Sequence, residues 1–70
     1  MNFALLEYEM KIQNITRKDI QNKLELSDSA ISRKWNEKTQ FTYEEIKTII
    51  KILKLDDKKV MDIFFRIEVS

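Results

Sequence analysis

The sequence predicts an all-α domain of five short helices, and three observations support that prediction. A helix start signal recurs four times, as a capping side chain preceded by one apolar residue and followed four positions on by another. The cap accepts a hydrogen bond from an otherwise unpaired N–H of the first turn, and the two apolar residues pack across it. Between these starts, apolar residues keep the three-and-four spacing of a buried helix face. Only the end of the chain, Phe65-Arg66-Ile67-Glu68-Val69, alternates apolar and polar residues as a strand would.

The elements follow in order. Phe3, Leu6 and Met10, at i, i+3 and i+7, place a first helix at about 2–12. The second, 17–24, follows Ile15-Thr16 and carries Ile20 at the stapling position; the third, 28–36, follows Leu26-Ser27 and carries Ile31. The fourth, 43–53, follows Phe41-Thr42 and carries Ile46, and Glu45 completes a capping box with Thr42. The fifth, 57–66, follows Leu55-Asp56 and carries Val60. With no Gly in the chain, the left-handed turn that commonly ends a helix falls to other residues. Asn14 tolerates that role after the first helix, whereas Glu25 after the second does so at a cost. The inward faces assign the core to Leu6, Met10, Ile20, Leu24, Ile31, Trp35, Ile46, Ile49, Ile50 and Leu53. Val60, Met61, Phe64 and Phe65 give the fifth helix more apolar surface than docking requires.

Length and composition restrict the function. Seventy residues of 8.5 kDa make a single domain, 1–70, and the 43% of hydrophobic residues supply one core. A chain of this size buries about 60% of its unfolded surface, so that core has to be well filled. The absence of Cys excludes disulfides, thiolate metal sites and cysteine nucleophiles. The absence of His removes the commonest zinc ligand and the side chain best suited to proton transfer near neutrality. Without Gly no glycine-rich phosphate loop forms. Apolar runs as short as Ile49-Ile50 and Phe64-Phe65 span no membrane, and the start lacks the layout of a signal peptide. Ser and Lys are present without a base, metal set or phosphate loop to work with. A soluble, cytoplasmic domain that is not an enzyme and uses no metal or cofactor is expected.

The net charge of +1 conceals an uneven distribution. Residues 11–38 carry seven positive groups against four negative, residues 1–10 carry only Glu7 and Glu9, and residues 39–70 balance. A local basic stretch is what meets phosphate, although charges on a small domain also cluster by chance. Within it, helix two, the joint Glu25-Leu26-Ser27 and helix three form a helix-turn-helix arrangement, its angle held by Ile20, Leu24, Leu26 and Ile31. Ile31 and Trp35, four apart, face inward, which turns Asp28, Ser29, Ser32, Arg33 and Asn36 outward. Arg suits guanine in a major groove, Ser suits several bases and Asp an exocyclic amine. A plain solvated face is the competing reading. The short hydroxyls, the lack of Glu on that face and the flanking basic residues favour DNA.

The run Ile15-Thr16-Arg17-Lys18-Asp19-Ile20, with Leu24, Leu26-Ser27 and Ile31-Ser32-Arg33-Lys34-Trp35-Asn36, resembles the Cro/repressor-type (lambda-repressor-like) helix-turn-helix of phage and bacterial regulators. Phe41-Thr42-Tyr43-Glu44-Glu45-Ile46 continues the resemblance into that family's fourth helix, and Ile63-Phe64-Phe65 is similar to the ending of small regulators of phages of Gram-positive bacteria. The resemblance covers nearly the whole chain, with three departures. The usual turn glycine is Glu25, the usual small residue inside helix two is Gln21, and the usual glycine after the recognition helix is Glu37. The first two predict a looser joint between helices two and three; none removes a groove-reading residue.

What the resemblance implies is a sequence-specific double-stranded DNA-binding transcriptional regulator, such as a Cro-like phage repressor, acting in the bacterial host cytoplasm. It implies base reading by Asp28, Ser29, Ser32 and Arg33, and contact with the DNA backbone by Thr16, Arg17, Lys34, Asn36, Lys38 and Thr39. A guanidinium at position 17, beside the free N–H groups and positive dipole end of helix two, also suits phosphate on physical grounds. Asp28 has a second reading, since a carboxylate in a first turn stabilises the helix dipole without any DNA. Trp35 either stacks on a base or joins the core, and its spacing from Ile31 favours the core. Tyr8 and Tyr43 read as partly buried surface aromatics, and Lys47, Lys51 and Lys54 as the solvated face of helix four.

Two other classes share this fold. An antitoxin- or immunity-type regulator adds a protein partner, and no long extra segment for one is visible; a protein-interaction module keeps the fold without DNA. A steep salt dependence of duplex affinity separates the DNA binders from the last, because phosphate contacts release counterions. One recognition helix covers only a few base pairs, so a homodimer is expected on two half-sites, and a weak or DNA-induced pair meets that expectation. The apolar end of the chain, 57–70, with Phe64, Phe65 and Ile67, is the expected contact. The alternative for Phe64 and Phe65 is closure of the monomer core.

Overall fold

The computed structural model describes residues 1–65, and these are all-helical. Helix α1 spans Phe3–Gln13, α2 Arg17–Leu24, α3 Asp28–Trp35, α4 Tyr43–Leu53 and α5 Asp57–Val60, with no strand among the described residues. The first four lie within a residue of their predicted bounds. The fifth is α-helical for one turn only and then widens into a π-helical segment over Met61–Phe65. Ile67 of the expected dimer contact lies outside the described residues.

Each predicted start is built as expected. The side chains of Thr16, Ser27, Thr42 and Asp56 accept from the N–H three residues on, at 3.1, 3.1, 3.1 and 2.8 Å. Two starts have more than was predicted. Asn2 caps α1 by accepting from the Leu5 N–H, and Asp19 returns a bond to the Thr16 N–H at 2.8 Å, making a second capping box.

The helix ends use one device repeatedly. Asn14, Glu25, Glu37 and Lys54 hold left-handed backbone, with φ between 51 and 59°. After all four the next N–H reaches five residues back: Ile15 to the Met10 carbonyl, Leu26 to Gln21, Lys38 to Arg33 and Leu55 to Ile50, and in all but the Lys38 case that next residue is apolar. That is the doubly bonded helix ending in which a left-handed residue is followed by an apolar one. The same apolar residue precedes the next cap. Asn14-Ile15-Thr16, Glu25-Leu26-Ser27 and Lys54-Leu55-Asp56 are therefore three copies of one joint that closes a helix and opens the next within three residues.

Leu6, Ile20, Ile31, Ile49, Leu53 and Ile63 are the fully buried centre, and Met10, Phe41, Leu55 and Phe64 complete it. Leu24, Trp35, Ile46 and Ile50, expected in the core, are half-buried around it. Phe41 and Leu55 were expected only as staples and are core residues as well. Phe64, expected at a dimer contact, is buried in the monomer and closes the core instead. Tyr8 and Tyr43 are exposed rather than partly buried, and the Lys47 ammonium stands 5.3 Å over the Tyr43 ring.

α4 packs on α1 and α2, and the π-helical segment packs on α1. Polar links fasten these contacts: the Gln13 amide donates to the Leu53 carbonyl at 2.6 Å, the Asn2 N–H donates to the Ile63 carbonyl at 2.6 Å, and Lys59 meets the buried Glu9 at 3.3 Å. The radius of gyration, 11.6 Å, is close to the roughly 11 Å of a folded chain of this length.

Candidate nucleic-acid interface

The basic stretch, 11–38, folds into the last turn of α1, then α2, α3 and the turns beside them. Ser27 caps α3, Asp28 opens it, and Asp28, Ser29, Arg33 and Asn36 are exposed, with Ser32 half-buried beside them. The sequence-predicted base-reading residues therefore share one outward surface. Its small side chains are mutually ordered: Ser29 Oγ lies 3.3 Å from Ser27 Oγ, and the Asn36 amide donates to Ser32 Oγ at 3.3 Å. The Arg33 side chain is exposed and makes no hydrogen bond or ion pair among the described residues. It is the long donor of this surface left to a ligand.

Asp28 is engaged within the protein. Its Oδ1 accepts from the Gln21 amide at 2.6 Å and from the Lys18 ammonium at 3.4 Å. The Gln21 bond, with Lys18 second, holds the Asp28 carboxyl below the usual aspartate value. Gln21 is buried, and its amide also donates to the Leu26 carbonyl at 3.1 Å. One side chain so links α2, the joint and α3. At the joint expected to be looser, both N–H donors of the Gln21 amide are used and Glu25 adopts the left-handed conformation in place of Gly. Lys18 and Gln21 were missed as site residues. Their signal was available, as two polar residues three apart on α2 that face the start of α3 across a three-residue joint.

The expected backbone contacts divide into two groups. Thr16 and Arg17 stand at the start of α2, Thr16 as its cap and Arg17 in its first turn, both exposed. The Arg17 guanidinium lies 5.8 Å over the Trp35 ring, a cation–π contact that orients it while leaving its N–H groups outward-capable. Trp35 packs against Phe3, tilted, and Phe41, edge to face, with ring centres at 5.4 and 6.1 Å, and donates from Nε1 to Glu7 at 3.0 Å, so it is a member of an aromatic cluster at the core's edge. Asn36, Lys38 and Thr39 are exposed in the turn after α3, and Thr39 borders an open cleft of about 320 Å³ beside Phe3, Phe41 and Phe64.

Lys34 belongs to neither group. Its side chain is only 11% exposed, its ammonium lies 2.9 Å from Glu45 and 5.5 Å over the Phe41 ring, and it donates to the Gln40 carbonyl at 3.0 Å. Burial pushes the Glu45 carboxyl up, but hydrogen bonds from Thr42 and the bond and charge of Lys34 outweigh it and hold Glu45 below its ordinary value. Lys34 is a strut between α3 and α4, and its donors are already committed.

Comparison with protein-family models, with curated proteins and with solved structures finds no match for this chain. No helix among the described residues is long and apolar enough to cross a membrane.

Proposed function

We propose that this chain is a sequence-specific double-stranded DNA-binding regulator, a Cro-like phage repressor in particular, working in the host cytoplasm through a lambda-repressor-like helix-turn-helix made of α2 and α3. The observation that supports it best is the outward face of α3, where an unpaired Arg33 projects among short hydroxyls while neighbouring cations are fixed by the protein. In the major groove Arg33 pairs with a guanine edge, and Ser29 and Ser32 give and accept bonds at neighbouring bases. Asp28, held by Gln21 and Lys18, acts first as a positioning residue for the start of α3 and presents its remaining acceptor to an exocyclic amine. Thr16 and Arg17 set the α2 terminus on a phosphate, where N–H groups and the dipole favour an anion. Asn36, Lys38 and Thr39 hold the backbone on the far side of the groove. Two copies occupy two half-sites about one DNA turn apart.

Selection of bound duplexes from a random pool, followed by titration of the recovered site, tests this reading. Arg33→Ala is expected to weaken the selected site by about 1–3 kcal/mol and to relax preference at one position. Equal loss on all sequences makes Arg33 a phosphate contact, and recovery of no preferred duplex at low salt rejects the reading.

A further inference from the structure

Helix α1 is apolar on two sides. Leu6 and Met10 face the core, and Phe3 and Glu7, one turn apart, meet Trp35 of α3. By helical spacing Leu5, Tyr8 and Ile12 lie on the side away from Trp35, and they are 36, 60 and 60% exposed. A surface helix ordinarily puts its charges there. Here Glu9 is buried against Lys59 and Glu7 is bonded to Trp35, so two acidic residues serve the protein's own contacts while three large apolar ones face out.

We infer that this outer face of α1 receives a second copy of the chain, α1 against α1 around a two-fold axis near Tyr8. A two-fold contact requires a patch complementary to itself. An antiparallel pair of α1 helices meets that requirement, since it sets Leu5 of each copy against Ile12 of the other with both Tyr8 side chains at the axis. The exposed fractions leave roughly 300 Å² of surface, the lower end of a functional patch on a small protein. That is well under half the roughly 800 Å² per partner of a stable interface, so the pair is weak alone and forms when something else holds two copies together.

The arrangement fits that role; here the inference rests on the proposed DNA reading. Packed helices run about 8–10 Å apart, which puts α1 about 5 Å from the axis. α3 meets α1 through Trp35 on the side away from the Leu5, Tyr8 and Ile12 stripe, so the two α3 helices stand on opposite outer sides of the pair, as two successive half-sites require. Met61 and Phe65 form another exposed apolar pair, at 56 and 51%. By helical spacing they lie across the last helix from Lys59 and Ile63, which meet α1, so they do not extend the stripe.

The absence of Cys makes proximity directly measurable. Under mild oxidation without DNA, Tyr8→Cys is expected to give a disulfide-linked dimer, and Phe65→Cys and Lys51→Cys only traces. On a selected duplex with two half-sites, the Leu5→Glu/Ile12→Glu variant is expected to lose a cooperativity of at least about fivefold while its single-half-site affinity stays within about twofold. Dimer formation through Phe65→Cys instead overturns the inference, as does cooperativity that survives Leu5→Glu/Ile12→Glu. The two readings fail separately. A Tyr8→Cys chain that crosslinks but binds no duplex keeps the pairing and rejects the DNA reading. Non-cooperative binding of half-sites with no crosslink keeps the DNA reading and rejects the pairing.

Discussion

Gln21 shows how one side chain sets the geometry of the α2–α3 unit. Its buried amide donates to the Leu26 carbonyl and to Asp28, so truncation leaves a carbonyl short of a donor and releases the first residue of α3. Gln21→Ala is expected to cost about 1–2 kcal/mol in urea denaturation. The pH dependence has a definite sign. The Asp28 carboxyl titrates below its ordinary 3.8 in the folded chain, so the stability it contributes is present above that value and lost as pH falls through the lower folded pKa. Asp19, lowered by its hydrogen bonds with Thr16, adds in the same direction. Gln21→Ala should therefore flatten the fall in melting temperature below about pH 4, and an unchanged acid limb rules out Asp28 as one of its sources. The spacing of Lys18 and Gln21 on α2 signals a contact with the start of α3, but the burial of Gln21 and its two acceptors were not readable in sequence, because they are set by which carbonyl and carboxylate the fold brings within 3.1 Å of it. Asp28 itself was readable in both its roles, since a first-turn carboxylate serves the dipole and an outward one serves a base. Lys34 was misplaced because a lysine beside Arg33 near the end of α3 reads as solvated, and only the fold sets it against Glu45 of α4.

The helices were readable at their starts because a cap is local chemistry, confined to four or five consecutive residues. Ends were readable as a problem without its solution: lacking Gly, the chain has to place other residues in left-handed backbone, and Glu25 was named as one of them. That Lys54 does the same, and that three joints share a pattern, came from the hydrogen bonds five residues back. A non-Gly residue in this conformation costs on the order of 1 kcal/mol. Glu25→Gly and Lys54→Gly are each expected to stabilise the chain by about that amount, less the extra flexibility Gly gives the unfolded state. The joints share no partners, so the double variant should show the sum of the two gains. A lower melting temperature for either variant means that its side chain makes a compensating contact. The π-helical ending had no sequence signal at all. Val60, Met61, Phe64 and Phe65 keep ordinary helical spacing, and the wider winding appears only where Ile63 and Phe64 both turn into the core.

At the scale of the whole molecule, the basic stretch is smaller than its charge count. Of seven cations between 11 and 38, Lys34 is committed to Glu45, Lys18 leans on Asp28 and Arg17 is oriented over Trp35. Arg17 and Lys38, on the two sides of α3, remain the expected phosphate contacts of one copy. Each contact lowers the slope of log affinity against log salt by about 0.9, so a single half-site should show a slope of about −2 and a paired site about twice that. Neutralising Arg17 or Lys38 is expected to reduce the half-site slope by about one unit and to weaken all duplexes alike. Lys34→Ala separates structure from contact. It should leave the slope unchanged and cost about 2 kcal/mol of stability, between an exposed pair and a fully buried one, because Glu45 loses its partner in a half-closed site. If Lys34→Ala lowers the slope and leaves stability intact, the ammonium leaves Glu45 for phosphate on binding, and the strut between α3 and α4 is exchanged for a DNA contact.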